Sequence, residues 1–480
     1  MKNSCIYHNW QKVKNHEITY SQLIENKLLL CKQSIKNQDN VVLELMGESA
    51  LQNAKSLDAR KDIKDIFAGM TFLLKDNVNV KGSITTSGSL VCKDFVSPFN
   101  ATIVNKINDH DAIILGKVNL DEFGHAGTGL CSAFGIVKNP MDHTRITGGS
   151  SSGSAAAIKL GLCDVAIGSD TGDSIRHPAS FLGIVGYKPS YGLVSRYGVT
   201  PYASSLDHIG VLANSVIDVA IGIDVIKGQD KFDLTSIHIT DNYFYQDLKL
   251  NDKKFKFLVF DNVVSRVNNA IQKQFNKFIS DLKTKHEIIV ESFDENLLKI
   301  LMPIYMTTSY LEGFTNWNNV NGITFGGKNI SYSNYQDLAF KTRSQFGHEV
   351  KNRYLINSLV LNDNDFLCIY ENTQKIRRII VNKVNELLQQ YDAIVIPSAS
   401  SYAPSIQDTT TKQYKANECD DTLLLANFAG LPSITIPLTS NEHVDAIGIN
   451  ITSAKFSDAK LLEIAYNLED FIKNKGYYNE

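Results

Sequence analysis

Residues 147–188 read TGGSSSGSAAAIKLGLCDVAIGSDTGDSIRHPASFLGIVGYK. Two turns of small residues, at 148–154 and 168–174, flank an alanine-rich stretch that reads as a helix and a short apolar strand, DVAIG. Each turn sets serine hydroxyls beside main-chain N–H groups. Donors fixed in this way before a reaction stabilise an oxyanion as its charge develops. An isolated GGSSSGS is also what a flexible linker looks like, so the reading needs support from elsewhere in the chain.

Upstream, from Phe67 to Val80, the chain becomes an apolar, β-favouring run that includes MTFLLKDNVNV, read as a buried strand ending in Lys75. A lysine at the end of a buried strand loses hydration, and desolvation lowers its pKa until the neutral amine can take a proton from a serine. The competing reading is a snorkelling lysine, or one paired with adjacent Asp76.

Beyond these segments, ATIVNKINDH reads as a helix and DAIILGK as a buried strand. KFKFLVFDN, RVNNAIQKQFNKFISDLKTKH and EIIVESF repeat the alternation, and AIVIP and SITIP add strands near the C-terminus. The fold class expected is α/β. Amphipathic segments such as YSQLIENKLLLCKQSIKN predict helices that cover one face, and Ser457 is positioned to cap a last helix. With no repeat and no proline-rich linker, one domain over 1–480 is the simpler expectation: a helical cover at 1–62, the region carrying the serine turns at 63–215, and the rest of the core at 216–480.

The 48 basic and 51 acidic residues leave a net charge of −3, which gives no electrostatic reason for a direct grip on nucleic acid. Seven cysteines without a CxxC pair argue against a disulfide framework or zinc ribbon. No apolar run reaches roughly twenty residues, so a cytoplasmic protein without membrane insertion is expected. Neither metal-ligand spacing nor a phosphate-cradling glycine motif is present, so no metal and no cofactor are expected in this chain. His177, beside Arg176, reads as a packing residue.

GGSSSGSA, GSDTGDSIR and GYKP resemble the GGSSGGSA, GSDTGGSIR and GxKP of the amidase signature family. The spacing also matches, with Ser150 75 residues after Lys75 and Ser174 24 after Ser150. The resemblance implies the amidase signature fold, a large mixed sheet with helices on both faces. It implies a triad of Lys75 as base, Ser150 as proton relay entered through a cis peptide bond, and Ser174 as nucleophile. The oxyanion hole would be the amides of Thr171, Gly172, Asp173 and Ser174.

Within the family, NLDEF at 119, YGLVSRYG at 191, ASSLDHIG at 203 and NFAGLPSITIP at 427 are similar to the branch that forms the A subunits of tRNA-dependent amidotransferases. That branch implies glutamine as substrate, with ammonia passed to a B subunit, the tRNA-binding kinase and transamidase that uses ATP and Mg. It also implies a small C subunit, and tRNA met only through the complex. Arg353 in EVKNR and Asp420, seven residues before Asn427, match the glutamine-binding positions, with Asp421 one register away.

The sequence departs from the family in several places. Asp173 replaces a glycine, and its carboxylate opposes an oxyanion unless it turns away or pairs, for instance with Arg176. TGLCS at 128–132 lacks a glutamate, Leu193 and Asn214 replace arginines, and 308–327 is only loosely similar. Alternatives stay open: a stand-alone amidase for another small carboxamide, a weakened scaffold of the same fold, or a Ser–His–Asp hydrolase built on Gly149, Ser151 and Gly153 with His443.

Overall fold

The computed structural model describes residues 4–477 apart from 61, 62, 64, 240, 241, 327–329, 362–365, 414, 415 and 440–444. His443, the histidine of the Ser–His–Asp alternative, lies outside the described residues. Eleven strands among those described form one sheet: β1 (Val42–Leu45), β2 (Thr71–Lys75), β3 (Ile113–Val118), β4 (Val165–Asp170), β5 (Val185–Lys188), β6 (His208–Ala213), β7 (Lys256–Phe260), β8 (Glu287–Glu291), β9 (Ala393–Pro397), β10 (Ser433–Thr439) and β11 (Ile447–Thr452). Their order is β1-β3-β2-β4-β6-β5-β10-β11-β9-β7-β8. The sheet is mixed. β2 pairs in parallel with β3 and β4, β7 in parallel with β8 and β9, and the centre is antiparallel.

Successive side chains of a strand point to opposite faces, and here both faces are buried. Phe72 and Leu74 of β2, Val165 and Ile167 of β4, and Phe257 and Val259 of β7 join one continuous cluster with the helices Thr102–Asp109, Val216–Ile226, Asn269–Leu282 and Asp458–Asn474. On the other face, Leu73 and Ala166 meet the helices Tyr20–Lys36, Gly47–Asp58 and Ser152–Lys159. Further along that face, Leu258, Phe260, Ile394 and Ile396 meet the helices Glu295–Trp317, Phe366–Gln390 and Leu424–Ala429. Each such apolar side chain contributes about 1.5–3 kcal/mol on burial, enough together to hold strand ends still. The expected large mixed sheet with helical cover on both faces is therefore what the chain forms.

Two local expectations are corrected. β2 ends at Lys75, as a strand closed by a lysine should, and the chain turns at once, because the Asp76 carboxylate takes the Thr86 N–H at 2.9 Å and the Lys117 ammonium at 2.6 Å. Asp76 is thus the partner of Lys117 and not of Lys75. Ser457 stands at the N-cap of the last helix but makes no side-chain cap; its hydroxyl donates to the Ala454 carbonyl at 2.5 Å.

Candidate active site

Parallel pairing of β2 with β4, in the register Leu74↔Ile167, brings their carboxyl ends together. Lys75 closes β2, and the turn at 171–174 follows β4. The first serine turn lies against both, because the helix Ser152–Lys159 that it opens packs on the sheet between them. Ligands of open α/β sheets bind at such strand ends.

Lys75 is fully buried. Its Nζ donates to Ser150 Oγ at 2.7 Å, to Ser151 Oγ at 3.0 Å and to the Ser169 carbonyl at 3.3 Å. Burial brings its pKa down to about 7, against the opposing pull of the Asp121, Asp170 and Asp207 carboxylates. The peptide bond Gly149–Ser150 is cis. A side chain at 149 would meet Asp121 Oδ2 at 2.1 Å, so only glycine fits there. Asp121 in turn accepts the N–H groups of Gly127, Gly129 and Cys131 at 3.2, 2.9 and 2.8 Å, folding the TGLCS loop around Ser150.

Ser174 is 6% exposed. Its carbonyl accepts the Ser151 N–H at 3.2 Å, which ties the two serine turns together. Its hydroxyl has no hydrogen-bond partner among the described residues, so the Ser150–Ser174 contact is not closed in this structure. A serine hydroxyl turns about one torsion among three staggered positions. The main-chain N–H groups of Gly172, Asp173 and Ser174 likewise donate to no described residue. Consecutive unpaired donors inside a protein are rare and mark a place where an acceptor belongs.

An ion pair supports this turn from below. The fully buried Arg176 meets Asp170 through Nε at 3.1 Å and Nη2 at 3.0 Å. Arg176 also donates to the Gly172 carbonyl at 2.5 Å, the Leu423 carbonyl at 2.9 Å and Asn427 Oδ1 at 2.7 Å. Burial pushes the Asp170 carboxyl up, but Arg176, Lys188 and Asn427 more than offset this and hold it well below the usual range. Arg176 is therefore not the partner of Asp173. That carboxylate pairs with His177, Oδ2 to Nδ1 at 3.2 Å, and His177 is a charge partner as well as a packing residue against Phe181.

Arg353 lies on the helix His348–Leu361 with its guanidinium over Tyr310, at 4.7 Å from the ring centroid. It donates to Tyr202 Oη at 2.8 Å, and its buried Nε has no partner. No carboxylate among the described residues forms an ion pair with it. Asp420, 5% exposed, accepts Ser400 N at 2.8 Å, Ser400 Oγ at 2.6 Å and Asn417 N at 3.0 Å. Asp421 has no side-chain partner among the described residues, and burial next to Asp420 and Asp173 pushes its pKa up to about 7. Of the replaced arginine positions, Leu193 is core and Asn214 is exposed.

Sequence reasoning missed Asp121, Asp170 and the structural role of Asn427. Ser151 Oγ, the candidate of the Ser–His–Asp reading, is bound between Lys75 and the Ser169 carbonyl, 3.1 Å away, and no described histidine reaches it.

The sequence model of the amidase family matches residues 27–462. The chain is 39% identical to the A subunit of a glutamyl-tRNA(Gln) amidotransferase from Mycoplasma genitalium, over 90% of its own length and 93% of that protein's. Among solved structures, it is similar to the A subunit of a glutamyl-tRNA(Gln) amidotransferase from Thermotoga maritima, at 30% identity and a TM-score of 0.73 over 94% of each chain. It shares the fold of a peptide amidase from Stenotrophomonas maltophilia, at 24% identity and a TM-score of 0.81 over 98% of this chain and 97% of that one.

Proposed function

Because the chain belongs to the amidase family, we propose that it hydrolyses glutamine as the A subunit of a tRNA-dependent amidotransferase. The ammonia goes to a partner subunit that amidates glutamate or aspartate on misacylated tRNA. One observation carries the reading: a buried lysine of pKa about 7, in contact with Ser150, beside a turn whose N–H groups await an acceptor.

The chemistry is acyl transfer. Ser174 Oγ attacks the amide carbon while its proton passes through Ser150 Oγ to the neutral Lys75 amine. The carbonyl oxygen, now negative, is held by the main-chain N–H groups of the 171–174 turn. Collapse returns the proton from Lys75 to the leaving nitrogen, ammonia departs, and an ester remains on Ser174. Water then attacks the ester by the same proton route and frees glutamate.

Glutamine also presents a carboxylate and an ammonium. The unpaired Arg353 suits the carboxylate, since a desolvated guanidinium without an anion is costly and a bidentate partner relieves it. Asp420 is the ammonium-binding residue in this reading, held in place by Ser400 and Asn417. A net charge of −3 leaves tRNA to the partner, a B subunit using ATP and Mg, with a small C subunit in the complex. No helix among the described residues is long and apolar enough to cross a membrane, and the reaction belongs in the cytosol.

The test is ammonia release from glutamine by the purified chain, alone and with candidate B and C chains. A rise on complex formation is expected. Hydrolysis of other small carboxamides, indifferent to those chains, makes it a stand-alone amidase instead.

A further inference from the structure

His177 stands between two carboxylates from different parts of the chain. Its Nδ1 is 3.2 Å from Asp173 Oδ2, and its Nε2 is 4.0 Å from Asp420 Oδ1 on the short helix Glu418–Asp421. The side chain is 8% exposed, and its Nε2 has no hydrogen-bond partner among the described residues. Asp173 immediately precedes Ser174, in the turn whose N–H groups lack acceptors. The Asp173 side chain is 29% exposed, so solvent screens its charge only in part, and an ionised Asp173 works against an oxyanion in that turn unless a cation neutralises it.

Resting on the reading of Ser174 as nucleophile and Asp420 as ammonium-binding residue, we propose that His177 is a positioning residue for this reaction. As an imidazolium it turns the Asp173 carboxylate away from the oxyanion and cancels its charge, while its second nitrogen faces Asp420. The charged groups around it are Asp173 from the turn, Asp420 from the facing helix and Arg176 from its own helix. Burial disfavours the imidazolium and Arg176 repels it, but the two carboxylates outweigh both, so its pKa lies above the usual value. Asp173 and His177 are four residues apart across the first helical turn, where side chains meet.

A double-mutant cycle on glutamine hydrolysis tests this. His177→Gln keeps a donor for Asp173 but carries no charge. It is expected to lower kcat tenfold or more with KM within threefold. In the Asp173→Gly background the same substitution is expected to change kcat less than threefold relative to that background. The kcat of the unaltered chain should fall on the alkaline side as the imidazolium loses its proton. Should His177→Gln fail to fold, Asp173→Asn reads the same coupling, since it should abolish the alkaline fall. Equal losses in both backgrounds, no loss in either, or an alkaline fall that survives Asp173→Asn would overturn the proposal. If Ser174→Ala retains activity, the underlying reading falls; if Ser174→Ala is inactive and the cycle is additive, only the role of His177 falls.

Discussion

The fully buried Lys75 ammonium donates to the Ser150 hydroxyl at 2.7 Å. Once deprotonated, the amine accepts from that hydroxyl along the same line. A strand-terminal lysine and a serine in a glycine turn are thus placed to exchange a proton, and no described histidine takes part in the contact.

The pH dependence follows from the lysine. Burial lowers its folded pKa to about 7, and in the proposed mechanism the neutral amine is the form that takes the proton. Glutamine hydrolysis should therefore rise as pH increases through about 7 and be lost below it. An initial-rate profile of kcat/KM checks this; an acid limb near the unperturbed lysine value contradicts it.

Removal of the base should be severe. Lys75→Ala is expected to lower kcat on the order of 10²–10⁴-fold or more, the range of a general base, while His443→Ala keeps the rate. Steady-state assays of both variants separate the two assignments, since only one should be inactive.

Arg353 is expected to act on binding. Arg353→Ala should raise KM for glutamine by about 10–100-fold, as expected for the loss of a charge-assisted hydrogen bond, and change little for an amide with no carboxylate. Asp420→Asn should also raise KM for glutamine. Parallel titrations with the two substrates distinguish lost recognition from a damaged site.

Arg176 is a matter of stability. Arg176→Met leaves the fully buried Asp170 without its ion-pair partner, and removing one partner of a buried pair costs about 3–5 kcal/mol. Denaturant unfolding should show the loss as a lower midpoint; an unchanged midpoint shows that Asp170 is satisfied without the arginine.

The sheet was readable wherever apolar runs alternate with amphipathic helices, because period and length are local properties. Strands such as AIVIP and SITIP lie where their sequences suggest. Lys75 stood out for a local reason as well, a charge at the end of an apolar run. Pairings between distant segments were not readable. Asp170, Arg176 and Asn427 form one buried network only because β4 and the helix Leu424–Ala429 are brought together. Adjacency in sequence is a poor guide to pairing: neither Asp173–Arg176 nor Lys75–Asp76 forms, because the helical turn points Arg176 toward the core and carries His177 to Asp173. Asp76 instead reaches across to Lys117 on the neighbouring strand.

Rapid-quench mass analysis of the chain with glutamine tests most directly whether Ser174 is the nucleophile. A burst of ammonia and a glutamyl ester on the peptide containing Ser174 are expected, absent in Ser174→Ala and strongly delayed in Lys75→Ala. An ester on Ser150 or Ser151, or undiminished hydrolysis by Ser174→Ala, would contradict that role.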